Sequence, residues 1–161
     1  MTIEPAPTAR YLAARQDPGS SFGYGLTRRC NMAIAAIERH TTGETPLDVV
    51  DFGCADGAML VAIARRLNRR FGSGVGFDVF REGVPRVPDG IPVQFVLADL
   101  FRDYPFALPD RSRDVAVVSA FLKHHPSPDR FLGEVARILR PGGIAVVLDP
   151  RPFVVHLGAL V

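Results

Sequence analysis

Gly53, Ala55 and Gly57 alternate with Cys54 and Asp56 directly after an apolar run that ends Val49-Val50-Asp51-Phe52. Glycines at that spacing allow a tight turn and bring bare backbone close to a ligand. Helical residues begin at Ala58, so the amides at that helix's start would favour a carboxylate or phosphate. Asp78 follows 21 residues after Gly57. A carboxylate one strand–helix unit downstream can accept hydrogen bonds from both hydroxyls of a ribose. Asp99 closes the run Val96-Leu97-Ala98 and could accept from an adenine amino group. Together these suit a ligand carrying both a carboxylate and an adenosine. The string is Gly-x-Ala-x-Gly and not Gly-x-Gly-x-x-Gly, which argues against a dinucleotide. A glycine turn that only packs strand on helix would read the same way. Strand-end aspartates are also common as plain turn residues.

A second group lies further on, at Lys123, His124 and His125. Lys123 is the only lysine in a chain whose other cations are arginine. A histidine here could take a proton from an incoming nucleophile. Adjacent side chains diverge, so the pair makes no metal site without further ligands. His125, before Pro126, also reads as a surface or capping residue. Cys54 has no base in sight and reads as a small packing group.

The elements that must position these groups follow from periodicity. Residues 1–24 contain Pro5, Pro7, Pro18 and Gly19 and read as an irregular arm. Leu26 to His40 has helical spacing, as do Ala58 to Leu67 and the run after Ser127-Pro128, a good helix entry. Pro141-Gly142-Gly143 should stop that last helix. Short apolar runs at 46–52, 74–78, 92–97, 114–119 and 144–148 read as buried strands. Strands alternating with helices predict an α/β fold, a three-layer Rossmann-like sandwich with a mostly parallel sheet. Right-handed crossovers would line up all strand C-terminal ends along one edge. Gly53–Gly57, Asp78, Asp99, Ser119–His125 and Asp149 all fall on that edge.

Composition narrows the function. With 47 % hydrophobic residues and a net charge of +2, the chain has an ordinary globular balance. Dispersed arginines at that charge argue against a nucleic-acid partner. No apolar run is long enough for a bilayer and no signal-type segment opens the chain, so no membrane role and a cytoplasmic location are expected. Two cysteines supply neither a disulfide framework nor a four-ligand zinc site, and no metal is expected.

Taken together, Asp51-Phe52-Gly53-Cys54-Ala55-Asp56-Gly57, Gly76-Phe77-Asp78, Ala98-Asp99-Leu100 and the stretch Arg130 to Gly143, with its Leu-Arg-Pro-Gly-Gly turn, resemble the motifs of class I S-adenosylmethionine (SAM)-dependent methyltransferases, the type 11 small-molecule branch above all. The resemblance covers roughly residues 25 to 161 and identifies that stretch as a SAM-binding domain. It implies that SAM is held by Asp51, Gly53, Cys54, Ala55, Gly57, Asp78, Val79, Asp99, Leu100 and Ser119. Asp51 and the glycine loop would take the methionine portion, Asp78 the ribose and Asp99 the adenine. Ser119 to Phe121 would lead toward a small-molecule acceptor, with Lys123 and His124 as the candidate catalytic groups. In-line positioning is then the main task.

Two departures set further expectations. The branch's His-His pair falls on Lys123-His124, so its first histidine is lost. The family's sheet has seven strands, and the last two would be missing here. Residues 153–161 would begin a helix, leaving the fifth strand a bare edge that a second copy or partner chain would cover. A non-catalytic SAM- or nucleoside-binding subunit, or a fragment of a larger methyltransferase, is the competing reading. A nicotinamide-dependent oxidoreductase is disfavoured by the glycine string.

Overall fold

The computed structural model describes residues 21–79, 89–149 and 153–155. Helix α1 (Ser21–His40) precedes strand β1 (Leu47–Phe52) and helix α2 (Ala58–Leu67). Strands β2 (Phe71–Asp78), β3 (Val93–Leu97) and β4 (Arg113–Ser119) follow, then helix α3 (Pro128–Ile138), β5 (Leu139–Leu148) and β6 (Phe153–Val155). The sheet order is β3-β2-β1-β4-β5-β6. The first five strands are parallel and β6 runs antiparallel to β5. No helix among the described residues is long and apolar enough to cross a membrane.

Successive strand side chains point to opposite faces. Val49, Val115, Val117, Ile144 and Val146 pack on one face with α1 and α2. Val50, Ala116, Val118, Ala145 and Val147 pack on the other with α3. Both faces are covered, which is why the strands read as continuous apolar runs. On α1, Leu26, Cys30, Ala33 and Ile37 recur at helical spacing and are buried. On α3, Phe131, Val135 and Ile138 do the same.

The structure corrects several boundaries. Helix α1 begins at Ser21, so four residues expected in the irregular arm are helical; residues 1–20 lie outside the described ones. Helix α3 ends at Ile138, and the Leu139 amide bonds back to the Val135 carbonyl. The Pro141-Gly142-Gly143 stop therefore lies inside β5. There Leu139 pairs with Arg113 and Ile144 with Val115, so the residues between bulge outward. The segment expected to begin a helix after β5 opens instead as β6, which pairs Phe153, Val154 and Val155 with Val147, Val146 and Ala145. The fifth strand is thus covered over those residues.

Topology locates the site. From β1 the chain builds outward through β2 and β3, then crosses back to β4 on the other side of β1. The crevice outside the C-terminal ends of β1 and β4 is where such sheets bind ligands.

Candidate functional site

The loop after β1 is held open by its own backbone bonds. The Gly53 and Cys54 amides both donate to the Phe77 carbonyl of β2, at 2.9 and 3.1 Å. The Gly57 amide closes onto the Cys54 carbonyl at 2.8 Å. Gly57 has φ +73°, and a Cβ there would run into the Phe95 ring. A Cβ on Gly53, also at φ +73°, would stand 3.1 Å from the Phe121 ring. Both glycines are needed for conformation and for space.

Carboxylates surround this loop. Asp78 Oδ2 accepts the Ala55 amide at 2.7 Å, so the acid at the end of β2 is fixed against the glycine turn. Asp56 Oδ1 accepts the Ala58 amide, the first of α2, at 3.2 Å. An acid of the chain itself thus takes an amide expected to meet an anionic ligand. Asp51, near the end of β1, is buried. Burial pushes the Cys54 thiol well above its ordinary range, and the charges of Asp51, Asp78 and Asp56 push it further. Cys54 is therefore a protonated packing group, with no thiolate to act as a nucleophile. Three carboxylates are thus close enough to one loop to act together on Cys54.

The other expected positions share the same sheet edge. Asp99 sits in a tight turn after β3: its Oδ1 accepts the Phe101 amide at 3.0 Å, and Arg102 Nε lies 3.7 Å from its Oδ2. Leu100 is buried. Val79, Leu97 and Phe101 are large apolar residues left exposed at the ends of β2 and β3. Ser119 closes β4 opposite Leu148. Lys123 and His124 lie in a short 3₁₀ turn with exposed side chains, and the Lys123 amide donates to Asp149 Oδ2 at 2.9 Å. His125 is not a surface residue. It is buried, and its Nδ1 accepts the Ser127 amide at 3.0 Å. Its capping role holds, in place of a Ser127 side-chain cap, which is absent.

An aromatic group at this edge was not read from the sequence. Phe121, which abuts Gly53, stacks on Phe101 with centroids 5.6 Å apart. Tyr104 meets the His125 ring, and Arg130 lies over the Tyr104 face at 4.2 Å. The usable signal was the density of aromatic residues near strand ends, at 95, 101, 104 and 121.

Residues 24–158 match the family described as a methyltransferase domain. This chain belongs to the class I SAM-dependent methyltransferase family. It is 36 % identical over 144 residues to a fatty-acid O-methyltransferase of Mycolicibacterium smegmatis, covering 85 % of this chain and 50 % of that one. It is 29 % identical over 135 residues to an indolepyruvate C-methyltransferase of Streptomyces griseus, covering 77 % of this chain and 40 % of that one. The chain thus spans half or less of the length of these methyltransferases. Among solved structures, the [4+2]-cyclase SpnF superposes with a TM-score of 0.60 at 26 % identity, over 81 % of this chain and 47 % of that one.

Proposed function

We propose that this methyltransferase chain binds SAM on its glycine loop and transfers the methyl group to a small-molecule acceptor. The observation that carries the reading is the glycine turn after β1, where side chains at Gly53 and Gly57 would have no room, with the Asp78 carboxylate fixed on its Ala55 amide at 2.7 Å. SAM has a sulfonium, an ammonium and one carboxylate, so its net charge is positive, and carboxylates lining a cleft suit it. Asp51, Gly53, Cys54, Ala55 and Gly57 would hold its methionine portion. Asp78, already anchored by the Ala55 amide, would receive the ribose. Val79, Asp99 and Leu100 would border the adenine, and Ser119 would face the passage to the acceptor.

SAM supplies a methyl group already activated by its positive sulfur. The chain's residues therefore orient the reactants and exclude water, which can be worth several kcal/mol of barrier. Phe101 and Phe121 would form an apolar wall near the reacting end. If the acceptor must lose a proton, His124 is the exposed imidazole at this edge that could accept it, with Lys123 beside it to stabilise an anionic acceptor. Two relatives are named for methylating a fatty acid and indolepyruvate, both organic acids, and an acid acceptor would suit that cation.

The competing reading is a SAM-binding chain that transfers no methyl group. It is favoured by the cyclase neighbour, which shows that this fold is shared by a protein named for other chemistry. Calorimetric titration with SAM, S-adenosylhomocysteine and NAD tests the binding claim, and the first two should bind while NAD should not. Transfer of labelled methyl from SAM to a panel of fatty, keto and phenolic acids tests catalysis. Binding without transfer to any acceptor would favour the competing reading.

A further inference from the structure

His125 lies in the loop after β4; one ring nitrogen bonds within that loop and the other reaches the loop after β3. A backbone amide can only donate, so the Ser127 N–H on Nδ1 requires a lone pair there. In the neutral ring the proton is therefore on Nε2. That Nε2–H faces the Leu100 carbonyl oxygen at 3.1 Å and the Tyr104 hydroxyl at 2.9 Å. The ring is packed by Phe101, edge-on at 5.0 Å, and by Phe131 at 5.2 Å.

The Leu100 contact reaches further than the loop. The Leu100 carbonyl and the Phe101 N–H are the two ends of one planar peptide group. His125 donates to the carbonyl end, and the N–H end donates to Asp99 Oδ1 at 3.0 Å. A hydrogen bond at the oxygen polarises the peptide and strengthens its N–H as a donor. His125 thereby fixes the peptide plane that in turn orients the Asp99 carboxylate.

We propose that His125 is a positioning residue for Asp99, setting the adenine end of the cofactor site through the Leu100–Phe101 peptide. The proposal rests on the reading that Asp99 meets the adenine amino group. Nothing in it requires His125 to touch ligand. The same ring also holds the residue before α3 through the Ser127 amide.

Two substitutions separate the ring's two bonds. His125→Asn keeps an acceptor that can bond the amide two residues on, an Asx turn to Ser127, but is too short to reach Leu100. His125→Gln carries an N–H near the Nε2 position and can keep the Leu100 contact. The ligands are S-adenosylhomocysteine and S-inosylhomocysteine, whose base has a carbonyl in place of the amino group. Titration of the intact chain should show the wild type preferring the adenosyl ligand by about 10-fold, the worth of one hydrogen bond to a charged group. In H125N that preference should shrink to within about 3-fold, and in H125Q it should persist. Exchange of the Phe101 amide with solvent deuterium should quicken in H125N and not in H125Q.

Equal preference in the two variants overturns the proposal, as does a wild type that binds both ligands equally. A failure of H125N to fold also overturns it, because the Ser127 bond is then insufficient for the fold. A wild type that binds neither ligand sinks the proposed function itself.

Discussion

Strand β1 carries an aspartate near each end, and the two ends of the sheet use them in opposite ways. At the N-terminal end, Asp48 Oδ2 pairs with Arg140 Nη2 at 2.8 Å and its Oδ1 accepts from Ser73 Oγ at 2.6 Å. Arg140 Nη1 reaches Asp114 Oδ2 at 2.5 Å, the Asp48 amide donates to the same oxygen, and Arg113 Nη1 donates to Ser73 Oγ at 3.1 Å. Two acids and two arginines join β1, β2, β4 and β5, and the charges cancel. At the C-terminal end, Asp51 stands with Asp56 and Asp78 around one loop, and their fields add. Balanced charge serves as scaffold. Acids gathered at one loop repel one another, and a cationic ligand would relieve that repulsion.

The sharpest way to break this contrast is to spoil the glycine loop. Gly53→Val forces a β-branched residue to φ +73° and its side chain toward Phe121. Binding of S-adenosylhomocysteine should fall by more than about 100-fold, because backbone strain of about 1–3 kcal/mol adds to lost space. Calorimetry measures the affinity and circular dichroism the fold. Retained affinity would place the ligand away from this end of the sheet.

A paired experiment compares the acids directly. Asp78→Ala should weaken S-adenosylhomocysteine by roughly 10- to 100-fold, since it removes hydrogen bonds to a charged acceptor worth about 1.5–3 kcal/mol. Its melting temperature should fall less than that of Asp48→Ala, through loss of the Ala55 bond. Asp48→Ala should do the reverse. It breaks a network partly open to solvent, for a cost of about 1–2 kcal/mol, or roughly 2–8 °C at this chain length. Its ligand affinity should stay within about 2-fold. If Asp48→Ala weakens the ligand as much as Asp78→Ala does, the two ends are not separate in function.

The two ends also differ in how well the sequence announces them. The loop end is a local pattern: residues 51 to 57 read consecutively, and Asp78 lies one strand–helix unit away. Helix α2 falls on its expected bounds for the same reason, since its apolar spacing and the glycine before it are contiguous. The Arg140 network joins residues up to 92 positions apart, and no periodicity links Asp48 to Arg140. The aromatic group over the loop is equally scattered, from Phe95 to Phe121. Pro141-Gly142-Gly143 reads as a helix stop, yet its effect is a bulge that leaves Arg140 facing Asp48 and Asp114. That role depends on β4 pairing, which local chemistry does not encode. Phe153–Val155 misleads because three apolar residues fit the start of a helix as well as a short strand, and only the free side of β5 decides.

Acid should expose the scaffold end. Burial alone would raise the Asp48 pKa, but hydrogen bonds from Ser73 and Arg140 and the charges of Arg140 and Arg113 bring it below its ordinary value. Glu134 behaves alike: burial is outweighed by Arg137 and by the Phe106 amide, which it accepts at 3.0 Å. A carboxylate with a lowered folded pKa binds its proton more weakly folded than unfolded. Its stabilisation is present above the unfolded values of about 3.9 for Asp and 4.3 for Glu, and is lost as pH falls through the folded ones. The melting temperature should therefore hold from pH 6 to 5 and drop below about pH 4. The D48N/E134Q double variant should start lower and drop less. A parallel decline in both proteins would show that these acids do not carry the acid sensitivity.

The smallest expected effect concerns Cys54, where the negative field is felt most directly. Burial and three neighbouring carboxylates keep its thiol protonated, so alkylation by iodoacetamide at pH 8 should be far slower than for an exposed cysteine. Cys30, buried on the inner face of α1, should also resist, so denaturant should unmask both together. Mass spectrometry after proteolysis distinguishes the two sites. Bound S-adenosylhomocysteine should slow Cys54 further and leave Cys30 nearly unchanged, apart from the shared gain in stability. Its homocysteine ammonium offsets some of the negative charge and so favours the thiolate, but it also covers the loop. Access should dominate, because a thiolate formed behind a seated ligand has no approach for the reagent. Faster alkylation of Cys54 in the complex would mean that the ligand leaves the loop open, and that the acids there act on it from a distance.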